Sequence, residues 1–171
     1  MSIAIADWPH FGRRHASTAD AVATKLSSLA SRDTRVFGDL SLGAEGRPLD
    51  FVVISPASVF TVRIEESDGS DIHVNNYGMT VDGTGVPCLR QAKFDAERAA
   101  RFLGQRVGFD FPVRGCVVVA SGGHAPQIVF ENRPIGVSVL TPHDVPRWFR
   151  GHPAVLSPAE VSELWDAASA A

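Results

Sequence analysis

Two short apolar segments with a four-residue turn between them form the clearest pattern in the chain. Val, Ile and Phe dominate residues 49–54 and 59–64, and Ser55-Pro56-Ala57-Ser58 separates them. β-Branched and aromatic residues favour strands, and proline is tolerated where no ladder hydrogen bond is donated. The pattern therefore predicts a β-hairpin.

Charged residues alternate with apolar ones along this hairpin. Side chains of a strand point to opposite faces in turn, so Thr61, Arg63 and Glu65 share one face of the second strand. Asp50 on the first strand lies on the same face as Val52. If these two faces coincide, Asp50, Arg63 and Glu65 converge.

The rest of the chain alternates predicted helices and strands. Apolar spacing predicts a helix from Ser17, where Asp20 completes a capping box, and a long helix over 88–104 that ends at Gly104 and carries Asp95 on its outward face. Residues 82–87 are expected to form a loop. Other strands are predicted at 35–42, 72–74, 77–81, 113–120 and 136–140, and short helices from 141 and 157. This order predicts an α/β fold with a central mixed β-sheet flanked by helices.

Composition limits the organisation and the partners of the chain. Its 171 residues suit one domain, so we expect an N-terminal arm over 1–16 and a single α/β domain over 17–171. A net charge of −3 gives no global reason to expect nucleic-acid binding. The segment 89–114 is locally basic and the segment 65–82 is acidic, so a DNA contact would depend on a local patch.

The two cysteines, Cys88 and Cys116, are not at metal-ligand spacing and are expected to be buried, reduced thiols. The N-terminal apolar stretch is too short for a signal peptide or a membrane span, so we expect a cytoplasmic protein with no membrane contact. The sequence identifies no partner. We expect an unknown protein partner, and both nucleic-acid binding and homo-oligomerisation stay open.

Four parts of the chain resemble the nuclease-related domain (NERD) family, which is similar to the restriction-endonuclease-like fold. They are the start of the first helix at Ala19-Asp20, the hairpin, the opening of the long helix at Pro87 and Gln91-Ala92, and the closing strand with its helices over 137–161. The hairpin is the most specific of the four. Together they span about residues 17–168.

The resemblance implies functional positions. The family's acids fall on Asp20, Asp50 and Arg63, its lysine on Glu65 and its glutamine on Gln91. In a magnesium-dependent nuclease the acids hold the metal and the lysine orients or deprotonates the attacking water. Arg63 and Glu65 depart from that acid-x-lysine order, and an arginine cannot lose its charge in a protein.

These departures predict a catalytically degenerate site that needs no metal or other cofactor. We hypothesise that Arg63 replaces the metal electrostatically and pairs with Asp50, with Glu65 or Asp20 as further partners. The competing interpretation of these charges is a solvated strand edge. The alternative function is a divergent Mg²⁺-dependent DNA nuclease that uses Asp20, Asp50, Glu65 and Lys93, with Asp50 and Glu65 as metal ligands. Under the main interpretation the protein is a non-enzymatic interaction or regulatory module, and DNA association is implied by the resemblance alone.

Overall fold

A computed structural model describes residues 16–44, 46–68, 71–122 and 125–171, without the side chains of Ala16 and Ser17. The predicted arm therefore lies outside the described residues except at its last position. So does the hydroxyl that would complete the capping box of the first helix. The helices are α1 (Ala16–Ser27), α2 (Cys88–Val107), α3 (Val145–Arg150) and α4 (Pro158–Ser169). The strands are β1 (Arg35–Leu40), β2 (Leu49–Ser55), β3 (Ser58–Glu66), β4 (Asp71–Val74), β5 (Met79–Val81), β6 (Thr84–Val86), β7 (Val113–Ala120), β8 (Gln127–Phe130) and β9 (Val137–Leu140).

The predicted hairpin forms the middle of a mixed five-stranded sheet. Its strand order is β1-β2-β3-β7-β9, with β1, β2 and β3 antiparallel and with β7 and β9 parallel to β3. Ser55 pairs with Ser58, so Pro56 and Ala57 make the turn as the sequence predicts. The α/β class and the mixed central sheet are confirmed.

A second sheet, which the sequence analysis does not predict, has the order β6-β5-β4-β8. The supposed loop over 82–87 contains β6, which pairs with β5 around a tight turn at Asp82 and Gly83. Both turn residues have positive φ, of 48° and 77°, as in the Asp-Gly turns that suit the twist of a hairpin. The Asp82-Gly83 dipeptide is a sequence signal for a two-residue hairpin turn, and the prediction of a loop over 82–87 overlooks it.

Helices cover both faces of the large sheet. On one face, Val22 and Leu26 of α1 and Phe149 of α3 pack against Phe60 and its neighbours in the sheet. On the other face, α2 and α4 cover Val52, Ile54 and Val59, while the second sheet packs beside the first turns of α2. The central strands are buried on both faces, as their apolar sequences indicate.

Two helix boundaries differ from the prediction. The long helix continues past Gly104 and ends at Gly108, which adopts the left-handed conformation with φ of 72°. The helix predicted from residue 141 begins only at Val145, because the Asp144 carboxylate accepts a hydrogen bond from the Thr141 hydroxyl and holds the preceding residues in a turn. The capping box of Ser157 and Glu160 at the start of α4 is present.

Both cysteines are buried and reduced, as expected. None of the helices over the described ranges is sufficiently long and apolar to cross a lipid bilayer.

Candidate functional site

The side chain of Arg63 lies inside the molecule, on the face of β3 that α2 covers. Alternation along β3 puts Val59, Thr61 and Arg63 on this face, and Val59 packs with residues of α2 and α4. Arg63 is only 5% exposed, which is rare for an arginine and requires a compensating partner. The interpretation of these charges as a solvated strand edge is therefore wrong for Arg63.

The partner of Arg63 is Asp95 of α2. The guanidinium Nη2 donates a hydrogen bond to Asp95 Oδ2, and both side chains are almost completely buried. The sequence analysis placed Asp95 on the outward face of α2, and that assignment is wrong. Asp95 lies three residues after Ala92 and four before Ala99, both buried, so helical spacing itself places it at the edge of the buried stripe.

Asp50, the partner expected for Arg63, makes other contacts. Its Oδ2 accepts a hydrogen bond from the backbone N–H of Ile64 at 2.9 Å. Its Oδ1 lies 3.8 Å from Nη2 of Arg47, which is half exposed. The carboxylate thus links the start of β2 to β3. The hypothesised pair of Arg63 with Asp50 is therefore not formed, and Arg63 pairs with Asp95 instead.

A second carboxylate, Asp39 of β1, lies opposite Asp50. Its neighbours Gly38 and Leu40 pair with Phe51 and Leu49, which puts Asp39 across from Asp50 in the antiparallel register. Burial, followed by the charge of Asp50, raises the pKa of Asp39 above its ordinary value. Asp39 also has a positive φ of 49°, and the sequence analysis did not single it out.

Glu65 lies two residues beyond Arg63, partly buried, near the thiol of Cys88. Burial, followed by the negative charge of Glu65, raises the pKa of Cys88 to about 12, while backbone hydrogen bonds and the charge of Arg63 act in the opposite direction. Arg63, Glu65 and Cys88 are therefore close enough to interact electrostatically. Arg63 and Glu65 share this face, whereas Asp50, the third residue expected to converge there, accepts a hydrogen bond from the Ile64 amide, and Asp95 is the partner of Arg63.

The remaining predicted positions are not part of this buried cluster. Asp20 is exposed on α1, the helix that packs against the opposite face of the sheet. Gln91 and Lys93 are exposed on α2. Within the described ranges, no three His, Cys, Asp or Glu side chains are grouped closely enough to hold a metal ion.

Two polar atoms near the ion pair are buried without a hydrogen-bond partner. They are Nε of Arg63 and Oγ1 of Thr61, two residues apart on the same face of β3. A buried donor without a partner costs about 1–3 kcal/mol. The bond to Asp95 therefore satisfies only part of the hydrogen-bonding capacity of the buried guanidinium.

These contacts define what the site can do chemically. A guanidinium keeps its positive charge at all accessible pH values, and Arg63 stands where the family resemblance implies a metal-binding acid. The residues present do not fit a magnesium ion.

The family described as nuclease-related domain (NERD) matches residues 14–120 of the chain. That range includes the hairpin, the second sheet up to β6, all of α2 and β7. No curated protein and no solved structure matches the chain.

Proposed function

We propose that this chain, which belongs to the nuclease-related domain family, is a catalytically degenerate member acting as a non-enzymatic interaction or regulatory module. The observation that carries the proposal is the buried Arg63–Asp95 ion pair at the family's metal-binding strand. The nuclease-like fold is retained, and the charge of Arg63 is neutralised inside the domain by Asp95.

The sign of the charge supports loss of catalysis. Arg63 is 5% exposed and faces the interior, so it places a permanent positive charge where a metal ligand would be negative. Asp95 neutralises it from within the protein. The guanidinium of Arg63 thus provides, within the protein, the positive charge that a bound metal ion would provide in an active relative.

The placement of the acids supports the same conclusion. Asp50 spends one carboxylate oxygen on the Ile64 amide. Asp20 lies on the helix of the opposite layer. Asp50 and Glu65 lie on the same face of the sheet as Arg63, and among the described residues they join no group of three side chains that could hold a metal ion.

An interaction role is supported by large apolar side chains that remain exposed. Phe94 of α2 is 56% exposed, and Ile135, in the segment before β9, is 82% exposed. Each offers apolar surface that a protein partner would bury. The outward side of α2 also presents Arg90, Lys93 and Arg101 to solvent, which is where a phosphate backbone would bind if the module contacts DNA.

The proposal is tested by metal binding and by nuclease activity measured on the same preparation. Isothermal titration calorimetry with Mg²⁺ and with Mn²⁺ should show no saturable heat. Supercoiled plasmid incubated with the protein and Mn²⁺ should remain uncut. Asp50→Asn is the control, since an activity that belongs to this chain should disappear in that variant.

Plasmid nicking that a chelator abolishes, and that Asp50→Asn abolishes too, would overturn the proposal in favour of the divergent nuclease. DNA association is measured separately, by a mobility shift in increasing salt. A shift that weakens with salt and is reduced by Arg101→Gln would support DNA as the partner. No shift at low salt would leave a protein as the partner class.

A further inference from the structure

A cavity of about 360 Å³ opens at the other end of β3, where three elements meet. Its walls are the end of α1 with the following turn, the β2–β3 turn, and the segment that follows α3. From Ser58 to Arg63 the strand advances roughly 16 Å at its usual rise per residue. The cavity is therefore separate from the Arg63–Asp95 site and takes no part in it.

Hydrogen bonds hold the cavity walls in place. The carbonyl oxygen of Pro56 accepts from the amides of both Val155 and Leu156, each at 2.8 Å, and ties the segment after α3 to the hairpin turn. The hydroxyl of Ser55 accepts from the Ala57 amide at 3.2 Å. These bonds are made within the protein itself and fix the cavity walls in one arrangement, as in most small-molecule sites.

Polar groups around the opening are available to a ligand. Arg150 is exposed and has no ion-pair partner among the described residues. The hydroxyls of Ser31 and Thr34 line the same cavity. Ser31 Oγ accepts from the Asp33 amide at 3.2 Å, which leaves its own O–H free to donate.

His152 adds an oriented ring to the wall. Its Nδ1 lies 2.8 Å from the Trp148 carbonyl oxygen, which can only accept, so Nδ1 carries a hydrogen and Nε2 is the free ring atom. Edge contacts with Phe60 and Trp148, at centroid distances of 5.4 and 4.8 Å, hold the ring in this orientation. The ring therefore lines the cavity in one fixed position.

The cavity lining combines one permanent positive charge with several apolar side chains. Of the described residues that line it, Arg150 is the permanently charged one and none is acidic. Leu29, Val53 and Phe149 supply an apolar floor. A ligand that matches this arrangement has an anionic head and a small apolar body.

We infer that this cavity binds a small organic anion, a carboxylate or a phosphate monoester with an apolar body. The Arg150 guanidinium binds the head through charge-assisted hydrogen bonds, and the hydroxyls of Ser31 and Thr34 donate to it. The apolar body packs against Leu29 and Phe149. This site gives the interaction module a small-molecule ligand, and it does not depend on the proposed loss of nuclease activity.

The test uses three probes with the same phenyl body: phenyl phosphate, benzoate and benzyl alcohol. Each is titrated into ¹⁵N-labelled full-length protein, and the amide shifts of Ser31, Thr34 and Ala57 are followed. At least one of the two anions should give saturable shifts at these amides, and the comparison of the two identifies the preferred head. Benzyl alcohol, which lacks the charge, should bind at least about tenfold more weakly.

Arg150→Gln and Arg147→Gln provide the matched variants. Both arginines are exposed on α3, and only Arg150 lines the cavity. Arg150→Gln should weaken binding of the preferred anion by at least about tenfold, whereas Arg147→Gln should leave it within twofold. The inference is overturned if neither anion saturates, if benzyl alcohol binds equally well, or if the two variants lose the same affinity.

Discussion

At the scale of single residues, the buried charges around β3 matter most. An arginine that is 5% exposed is tolerated because Asp95 neutralises it, and the two charges are brought together only when α2 packs on the sheet. Burying two charges is costly in itself, so the pair contributes little net stability compared with two apolar side chains. Removing one partner has a different effect, because it leaves the other charge buried and uncompensated.

Asp95→Ala is therefore expected to reduce the free energy of unfolding by about 3–5 kcal/mol. Urea denaturation followed by circular dichroism measures this change. Glu97→Ala, at an exposed position two residues further along α2, is the control and should change stability by no more than about 0.5 kcal/mol.

The double variant Arg63→Met, Asp95→Leu distinguishes the cost of a lone charge from the value of the pair. It should recover most of the stability lost in Asp95→Ala, because no charge remains buried. If the double variant is less stable than Asp95→Ala, the ion pair itself contributes net stability to the folded state.

Asp39 provides a prediction about pH. Its pKa is raised from the ordinary 3.8, first by burial and then by Asp50, so the folded state holds the proton more tightly than the unfolded state. The charged form consequently costs stability above the raised pKa, and this cost disappears as the pH falls below 3.8.

Asp39→Asn should therefore stabilise the protein at pH 7, by at most about 1 kcal/mol once solvent screening is allowed for. The gain should vanish in thermal unfolding experiments at pH 3. Asparagine also tolerates the positive φ of this position. Asp82→Asn, at the exposed aspartate with φ of 48°, is the control for that backbone effect.

At the scale of elements, the contact between α2 and β7 decides how close the helix lies to the sheet. A Cβ added to Gly115 would lie 3.0 Å from the backbone oxygen of Ala92 and 3.4 Å from the Cβ of Ala96. Gly115 pairs with Thr61, so this close approach occurs beside the buried face that carries Arg63. Because Gly115 has no side chain and Ala92 and Ala96 have small ones, α2, which carries Asp95, can lie close to the sheet.

Gly115→Ala should push α2 away and destabilise the protein by about 1–3 kcal/mol, measured by urea denaturation. Gly85 of β6 is the matched control, because a Cβ there would meet nothing within 4 Å. Gly85→Ala is expected to be neutral or slightly stabilising, since alanine restricts the unfolded chain more than glycine does. Equal losses in both variants would mean that strand glycines are sensitive here for another reason.

The sequence predicted elements well where the apolar pattern was long. The hairpin and β7 could be predicted from their apolar runs, and the buried stripe of α2 from its helical spacing. The four-residue strand β8 and the three-residue strand β6 were missed, because segments this short are stabilised by their neighbours more than by their own composition.

At the scale of the whole molecule, the two thiols report on whether the two sheets unfold together. Cys88 packs with the second sheet and the start of α2, whereas Cys116 lies in the core between α1 and the large sheet. Burial raises the pKa of Cys116 and, with the charge of Glu65, raises that of Cys88 to about 12.

We expect neither thiol to react with Ellman's reagent in the folded protein at pH 8, because thiolate is the reactive form. In increasing urea, Cys116→Ala and Cys88→Ala variants, each with one remaining thiol, should become reactive at the denaturant concentrations at which each variant unfolds. Earlier labelling of Cys88 would show that the second sheet opens separately. Residues 17–171 would then not form the single cooperative domain that the sequence predicts.

The sequence by itself determined the α/β class, the central hairpin, the faces of β3 and the absence of an acid-x-lysine pair, because these follow from local alternation and residue type. It could not assign a partner to Arg63, since residues 63 and 95 meet only through packing between elements. It also gave no indication that Asp39 lies opposite Asp50, or that a cavity lies beside Arg150. The tertiary structure decided these, because the energy of a buried charge depends on which groups surround it, and those groups come from distant parts of the chain.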